Sequence, residues 1–579
     1  MSTPSTSPAG GAAPPPDAGP DAAASTSGAG DTTGGGRGPA GVRSLLRSST
    51  VMAAGTAVSR ALGLVRSVVL VVAIGAVGTG ADAFDVANRL PNIVYLLIAG
   101  GVLNAVLVPQ IVRASRDPDG GAAFVDRLVT LIVTGLAAVT ALCMVAAPLL
   151  VRAYASSWGP DELRLATAIA LWVLPQLFFY GLYTVLGQVL NARGSFGPYM
   201  WAPVVNNVVS IAGLAVFIGL FGRADETTGL DTLDPTQVAV LAGTATLGVV
   251  AQALVLLVPL RRLGFTWTPR FGVRGVGLRS AGTVALWTFA GILVSQAGYL
   301  VTVQVAVYGS QGAGEPVPEG VVLPGPAVLG YAYLLYVLPH SLVAVSVVTA
   351  LFTRLSGRIT SGDVDGARAD MSLGLRLLGV VSVLSATGLV VLGAPVGVLL
   401  FGPGGGDVIG ATAGAMALGL PFYSALYLVQ RGFYAREDGK RPFIGVVVAG
   451  VVSVVLNVVV ALVVPAELVV VGLGVSQSVG NVAGLATALV LLHRRTGSFD
   501  GARVLRLHVR VLLSAVVAGL AGWGASSGVQ ALLSGITSRP TALAVVLVAG
   551  AVVVGVYVLM LRATRVRELD DVLAQVRRR

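Results

Sequence analysis

Long apolar runs, separated by short polar breaks rich in arginine, dominate the pattern along the chain. A helix needs about 20 apolar residues to cross the hydrocarbon core of a bilayer. Runs of that length fall near 51–76, 83–112, 124–151, 162–191, 200–221, 236–260 and 280–308. Others fall near 326–353, 371–401, 408–434, 442–464, 469–492, 508–533 and 541–561. The pattern predicts an all-α integral membrane protein with about 14 transmembrane helices. Residues 1–42, ahead of the first run, are rich in Pro, Gly, Ala, Ser and Thr. Such a segment cannot bury a core and reads as a disordered tail. It lacks the basic stretch, short apolar core and cleavage site of a signal peptide.

Loop charges orient the spans. With Arg43 and Arg47 on the cytoplasmic side, the loops of that side also hold Arg113, Arg116, Arg193, Arg261, Arg262, Arg354, Arg358, Arg436, Lys440, Arg494 and Arg495. The opposite loops hold Arg152, Arg223 and Arg539 and most of the loop acids, among them Asp225, Glu226, Asp231, Asp234, Glu315 and Glu319. This is the positive-inside bias. It predicts a multi-pass plasma-membrane protein with both termini in the cytoplasm, ending in a basic tail at 563–579.

Composition agrees. Hydrophobic residues make up 55% of the 579 residues and charged residues 11%, against roughly 25% charge in soluble proteins. The net charge of +11 is accounted for by loop arginines beside anionic lipid, without invoking nucleic acid. One cysteine, Cys143, excludes an internal disulfide framework. His340, His493 and His508 have no metal-ligand spacing, so neither metal nor cofactor is expected, and the chain does not read as an enzyme.

An internal repeat organises the spans. "LPQLFFYGLYTVLGQVLNARGSFGPY" at 174–199 resembles "LPFYSALYLVQRGFYAREDGKRPF" at 420–443. Tyr180 and Tyr423 each precede an Ala-Arg pair by twelve residues, and Leu90-Pro91 recurs as Leu338-Pro339. The offset is six spans each time. It predicts two six-helix bundles related by a pseudo-twofold repeat, at 43–260 and 280–495, plus two C-terminal helices within 496–562. The segment 261–279 between the bundles, basic with interleaved aromatics, reads as an interfacial helix or a solvated linker. Parallel repeats of this kind hold substrate at their interface.

The first span carries two arginines, in "SRALGLVRS" at 59–67. Such charges cost about 2.5–3.5 kcal/mol each at the bilayer centre on insertion scales and usually face a bundle interior or cavity. On a helical wheel Gly55, Thr56, Ser59, Arg60, Gly63, Arg66 and Ser67 fit an arc of about 140°. That face predicts one wall of a polar cavity, with Arg60 and Arg66 about 9 Å apart along the axis. Asp82 and Asp85 are the acids near a span interior, and Asp85 is spaced to pair with Arg89 at i, i+4. An anionic ligand would supply the missing counter-charge, since arginine forks suit phosphate oxygens. The amides Gln188, Asn206, Asn207, Gln296, Gln304 and Asn457 are expected to bond between helices.

The stretch 59–113, with "SRALGLVRS", "ADAFDVANRLPN" and "VPQIVR", resembles the MurJ (MviN) family of lipid II flippases, within the multidrug/oligosaccharidyl-lipid/polysaccharide exporter superfamily. The long tail and the Arg-rich, Lys-poor usage resemble an actinobacterial member. The resemblance implies fourteen helices in two lobes around a cationic cavity. It implies a substrate, the undecaprenyl-pyrophosphate-linked disaccharide-pentapeptide, moved from the inner to the outer leaflet by alternating access. Arg60 and Arg66 match the family's first-span arginines, expected at the pyrophosphate together with Arg89, Ser59 and Gly63. Asp82, Asp85 and Pro91 are expected in conformational or charge-network roles. Cell-wall synthesis proteins are candidate partners beside membrane lipids. The chain departs from the family where Tyr95 and Leu334 replace arginines and Gly100 and Val337 replace glutamates. Alternatives are a flippase for another polyprenyl-linked glycan or a non-transporting scaffold for cell-wall assembly. A cation antiporter would need intramembrane acids that this chain scarcely has.

Overall fold

The structure, a computed structural model, describes residues 39–99, 122–224, 230, 232–272, 283–497, 500–566 and 568. The tail before residue 39, Gly100, Arg113, Arg116, Asp225, Glu226, Asp231, the linker at 273–279 and the tail at 569–579 lie outside the described residues.

The first half of the chain forms α1 (Pro39–Ile74), α2 (Thr79–Ile98), α3 (Ala122–Val145), α4 (Ala147–Tyr154), α5 (Pro160–Val173), α6 (Gln176–Ala192), α7 (Gly197–Phe221), α8 (Pro235–Leu254) and α9 (Leu257–Arg262). The second forms α10 (Thr283–Ser310), α11 (Pro326–Pro339), α12 (Val345–Thr360), α13 (Val364–Phe401), α14 (Gly406–Ala417), α15 (Leu420–Tyr434), α16 (Lys440–Val463) and α17 (Val469–Thr496). Last come α18 (Gly501–Leu532) and α19 (Arg539–Ala563). No strand occurs among the described residues. Twelve described helical stretches are long and apolar enough to cross a membrane, and α14 with α15, bent by 49°, make a thirteenth. Helix α2 opens the second predicted span, whose residues 100–112 are not described. Residues 39–42, expected in the disordered tail, belong to α1.

Several spans are interrupted, and three of the breaks have a residue-level cause. Between α5 and α6 stands Leu174-Pro175, and proline cannot donate to the preceding turn. Between α14 and α15 stands Gly419, where a Cβ would lie 2.6 Å from the Ser478 Cα of α17. Only glycine lets the two backbones approach so closely. After Pro339 the chain makes a π-helical turn, His340–Ala344, before α12. The repeated stretches fall on corresponding elements: α6 and the start of α7 in one half, α15 and the start of α16 in the other.

Packing divides along the same line. Helix α7 lies between α1 and α8, and α2 lies on α5. In the second half, α13 packs on α14 and α15, and α16 packs on α10 and α17. Helices α18 and α19 pair and lie against α13. There the buried Tyr557 donates to the Val380 carbonyl at 2.7 Å, Arg376 pairs with Glu568, and Ser372 donates to Asp500 at 3.3 Å.

Hydrogen bonds and close contacts between the halves gather at one end of the helices, where α1 finishes and α2 begins. Ala327 of α11 donates to Asp82, Gln304 of α10 donates to the Ala153 carbonyl at 2.6 Å, and Gly405 faces Val77 and Ala76. At the other end, residues 263–272 contain no helix. They are strapped to α3: Trp267 donates to Thr130 at 3.2 Å, the Arg270 amide to the same hydroxyl at 3.0 Å, and the Thr268 amide to Asp126 at 3.3 Å.

Candidate functional site

Arg60 and Arg66 stand six positions apart on α1, and both are half-buried. Each acts electrostatically across the molecule on the α11 span: Arg66 on Tyr331, and Arg60 on His340. Among the described residues Arg66 forms no salt bridge. Two cations of one half therefore stand within electrostatic reach of the other half.

The rest of the predicted polar face is divided. Ser59 is 3% exposed, and Asn207 of α7 donates to its carbonyl at 2.9 Å and its hydroxyl at 3.4 Å. A Cβ on Gly63 would lie 3.9 Å from the same amide, and one on Gly55 would lie 3.0 Å from the Trp201 indole nitrogen. Gly55, Ser59 and Gly63, spaced by four, are thus a small-residue stripe that lets α7 approach closely. The wheel joined these residues to the arginines because both are polar or small. Packing against α7 separates them.

Asp82 and Gly325 illustrate how α2 meets α11. Asp82 is 3% exposed, and its Oδ1 accepts the Ala327 amide at 2.8 Å. Ala327 is in the first turn of α11, whose N-cap Gly325 has no side chain to cap it. Asp82 supplies the missing acceptor from the other half of the molecule, at the helix end that favours negative charge. A Cβ on Gly325 would sit 2.1 Å from the Asp82 Oδ2, so glycine is required for the carboxylate to reach.

One turn along, Arg89 engages Asp85 with both arms of its fork, at 2.7 and 3.0 Å. Its guanidinium stacks 5.7 Å over the Tyr299 ring of α10. A Cβ on Gly330 would lie 2.2 Å from Arg89 and 2.7 Å from Asp85. In this conformation Arg89, expected at the substrate, has its fork occupied by Asp85 and lies against the opposite half. Pro91 is buried inside α2.

Tyr95, at a position where the resemblance implies a cavity arginine, points elsewhere. It is 2% exposed, bonds Thr184 at 2.6 Å and packs on Tyr180. This tyrosine belongs to the core of the first half. Leu334 and Val337 are half-buried on α11. Several intramembrane amides bond between helices as expected: Asn206 with Gln252 at 2.9 Å, Asn457 with Thr302 at 2.9 Å, Asn207 and Gln304 as above.

A second polar group went unread in the sequence. His340 is 4% exposed and shares a hydrogen bond of 3.0 Å with Ser424, which is fully buried. Its ring packs on Tyr423 and Tyr427, at 4.5 and 5.4 Å between centroids. Tyr427 accepts from Arg431 at 2.8 Å, and that guanidinium also lies 5.8 Å from the Phe352 ring. Arg431 is 7% exposed and falls inside the predicted span 408–434. An ionisable residue within a span is itself a functional signal. That signal was present for both His340 and Arg431.

The family model described as "Lipid II flippase MurJ" matches residues 71–561, beginning just past the two arginines of α1. A probable lipid II flippase MurJ of Vibrio cholerae is 28% identical over 446 residues, 72% of this chain and 78% of that one. Its counterpart in Haemophilus influenzae is 27% identical over 495 residues, covering 81% and 90%. Among solved structures, a lipid II flippase MurJ in an inward closed conformation aligns with a TM-score of 0.67 at 18% identity, covering 89% of this chain and 99% of that one. An inward-facing multidrug resistance MATE family transporter of the MOP superfamily aligns at 0.58 and 17% identity, covering 76% and 96%. The last two likenesses concern the fold. With the family match running from the end of α1 into α19, the chain belongs to the lipid II flippase MurJ family.

Proposed function

We propose that this protein flips lipid II from the inner to the outer leaflet of the plasma membrane. Arg60 and Arg66 would hold the pyrophosphate while the polyprenyl tail stays in lipid. The observation that carries the arginine assignment is their placement: two intramembrane cations within electrostatic reach of the other half, with no salt bridge to Arg66 among the described residues. A pyrophosphate can take several charge-assisted bonds from two forks. No covalent bond is made or broken.

In this reading both termini are cytoplasmic, and residues 43–260 and 280–495 move as two lobes. The end closed by Asp82 and Ala327 then faces outward, and the substrate enters from the cytoplasmic side. Release needs the Asp82–Ala327 bond to break, a contribution of about 0.5–1.5 kcal/mol. Parting the halves also moves Arg89 away from Tyr299 and Gly330, which is where its fork could turn from Asp85 to substrate.

Depletion of the protein, followed by measurement of lipid II accessible at the outer face, tests the reading. Exposure should fall and return with the parent gene, and fail to return with R66A. Unchanged exposure after depletion, in a cell without a second flippase, would sink the transport assignment. Full rescue by both R60A and R66A would remove the arginines from it.

A further inference from the structure

We propose that residues 261–272, from the end of α9 onward, form an interfacial strap that selects anionic phospholipid headgroups of the bilayer beside α3. The site is separate from Arg60, Arg66 and the junction between the halves.

Two clamps hold the strap to the first half. At its start Arg193, just past the end of α6, donates to the Leu263 carbonyl at 3.1 Å and stacks 5.1 Å over the Phe265 ring. Phe265 packs in turn on the buried cluster that contains Tyr183, Tyr199 and Leu260. Further along, the Trp267 indole and the amides of Thr268 and Arg270 bond to Thr130 and Asp126 of α3. The Arg270 Nε also lies 3.7 Å from Asp126. Thr130 and Asp126 are only 2% and 6% exposed. A segment without helix, held by this many bonds, is neither an interfacial helix nor a solvated linker.

These bonds also set the depth of the strap. The membrane-crossing stretch of α3 begins at Phe124, and Thr130 lies six positions further, about 9 Å along the axis. A ring bonded to Thr130 therefore stands level with the first turns of a span, where headgroups give way to acyl chains. At that level Trp267 is still 42% exposed, and Phe271 is 82% exposed. Amphipathic aromatic rings such as indole concentrate at this depth of a membrane protein. With its N–H given to Thr130, the indole has its remaining surface in carbon.

Charge decides which lipid suits it. Residues 261–272 contain Arg261, Arg262 and Arg270 and no acid. Arg261 and Arg262 are exposed and form no salt bridge among the described residues. The Arg270 side chain is 52% exposed, with its Nε toward Asp126, so its terminal nitrogens remain for a phosphate. The carboxylate beneath the strap, Asp126, is buried and engaged by Thr268 and Arg270. Guanidinium forks match phosphate oxygens, and basic residues near a membrane surface favour anionic lipid. A zwitterionic headgroup carries its own cation, which three arginines repel. Rings at the level of the acyl chains, with arginines beside them, match the parts that an anionic phospholipid presents.

The test uses the full-length protein in phosphatidylcholine nanodiscs that contain a fixed share of brominated lipid, either phosphatidylglycerol or phosphatidylcholine. Bromine near the headgroup end of the acyl chains quenches tryptophan at contact range. The chain has six tryptophans, and the Trp267 signal is the difference between each protein and its W267F form. Brominated phosphatidylglycerol should quench that signal about twofold more than brominated phosphatidylcholine at equal share. R261Q/R262Q, which leaves both clamps intact, should reduce the excess, and R261Q/R262Q/R270Q should abolish it. Equal quenching by the two lipids in the parent protein would overturn the proposal, as would an excess unchanged in the triple variant. A Trp267 signal untouched by either lipid would overturn the placement at the bilayer. Loss of the excess on adding inorganic phosphate would point to a free-phosphate site and overturn the choice of lipid. Loss on adding undecaprenyl pyrophosphate would do the same in favour of an entry site for polyprenyl substrate. An excess that survives both additions supports the phospholipid site.

Discussion

The carboxylate of Asp82 caps a helix it does not belong to: it accepts the Ala327 amide at 2.8 Å, across the junction of the two halves. An ordinary N-cap stabilises its own helix in every conformation. This one stabilises α11 only while the halves are together, so the capping energy becomes a term in the balance between closed and open states.

Removing the cap should therefore shift that balance. D82A forfeits about 0.5–2 kcal/mol of capping; a loss of about 1 kcal/mol is roughly a fivefold change in population. Spin labels at Ser157 and Glu319, exposed positions in the two halves at this end, should report a larger share of long distances. An unchanged distance distribution would mean that other contacts close the junction alone.

Gly330 leaves no room for a side chain against Arg89 and Asp85. G330L should hold the halves apart at this end while leaving membrane insertion intact, and G330A should do so partially. The same pair of labels measures both. Normal closure in G330L would show that the Asp85–Arg89 pair moves aside readily.

Ser59 separates packing from ligand binding. S59A loses the hydroxyl that Asn207 reaches but keeps the backbone bond and the small side chain. Its thermal stability in detergent should fall slightly, by roughly 0.6 kcal/mol, with undecaprenyl-pyrophosphate affinity unchanged. S59L, too large for the α1–α7 contact, should destabilise strongly. A tenfold loss of lipid affinity in S59A at unchanged stability would return Ser59 to the binding face.

Arg376 and Glu568 tie the segment after α19 to α13 as a buried pair. Removing one partner of such a pair leaves a buried charge and costs about 3–5 kcal/mol. E568A should accordingly lower the melting temperature more than the double replacement R376M/E568L. A double variant as unstable as the single one would assign the loss to packing instead of charge.

Much of this molecule was legible in its residues because a bilayer imposes one simple demand. Every spanning segment must be long, apolar and internally hydrogen-bonded, so fourteen runs of hydrophobicity sufficed to predict an all-helical membrane fold. Leu174-Pro175 and Leu420-Pro421 stand at corresponding breaks in the two halves, whereas Pro91 sits inside an unbroken α2 and its counterpart Pro339 precedes a π-helical turn. Arg60 and Arg66 were visible as charges in the wrong solvent, and the i, i+4 spacing was enough to pair Asp85 with Arg89.

The direction in which each side chain faces was beyond a helical wheel. A wheel ranks residues by angle, but whether an angle meets a cavity or a neighbouring helix depends on where the other helices lie. Tertiary packing assigned Ser59 and Gly63 to α7, turned Tyr95 into the first half, and brought Asp82 to the end of a helix 245 residues away in sequence. It also joined His340 to Ser424. Local chemistry determined which segments cross the membrane. Contacts between distant segments, which carry no local signature, decided which of the polar residues stand together.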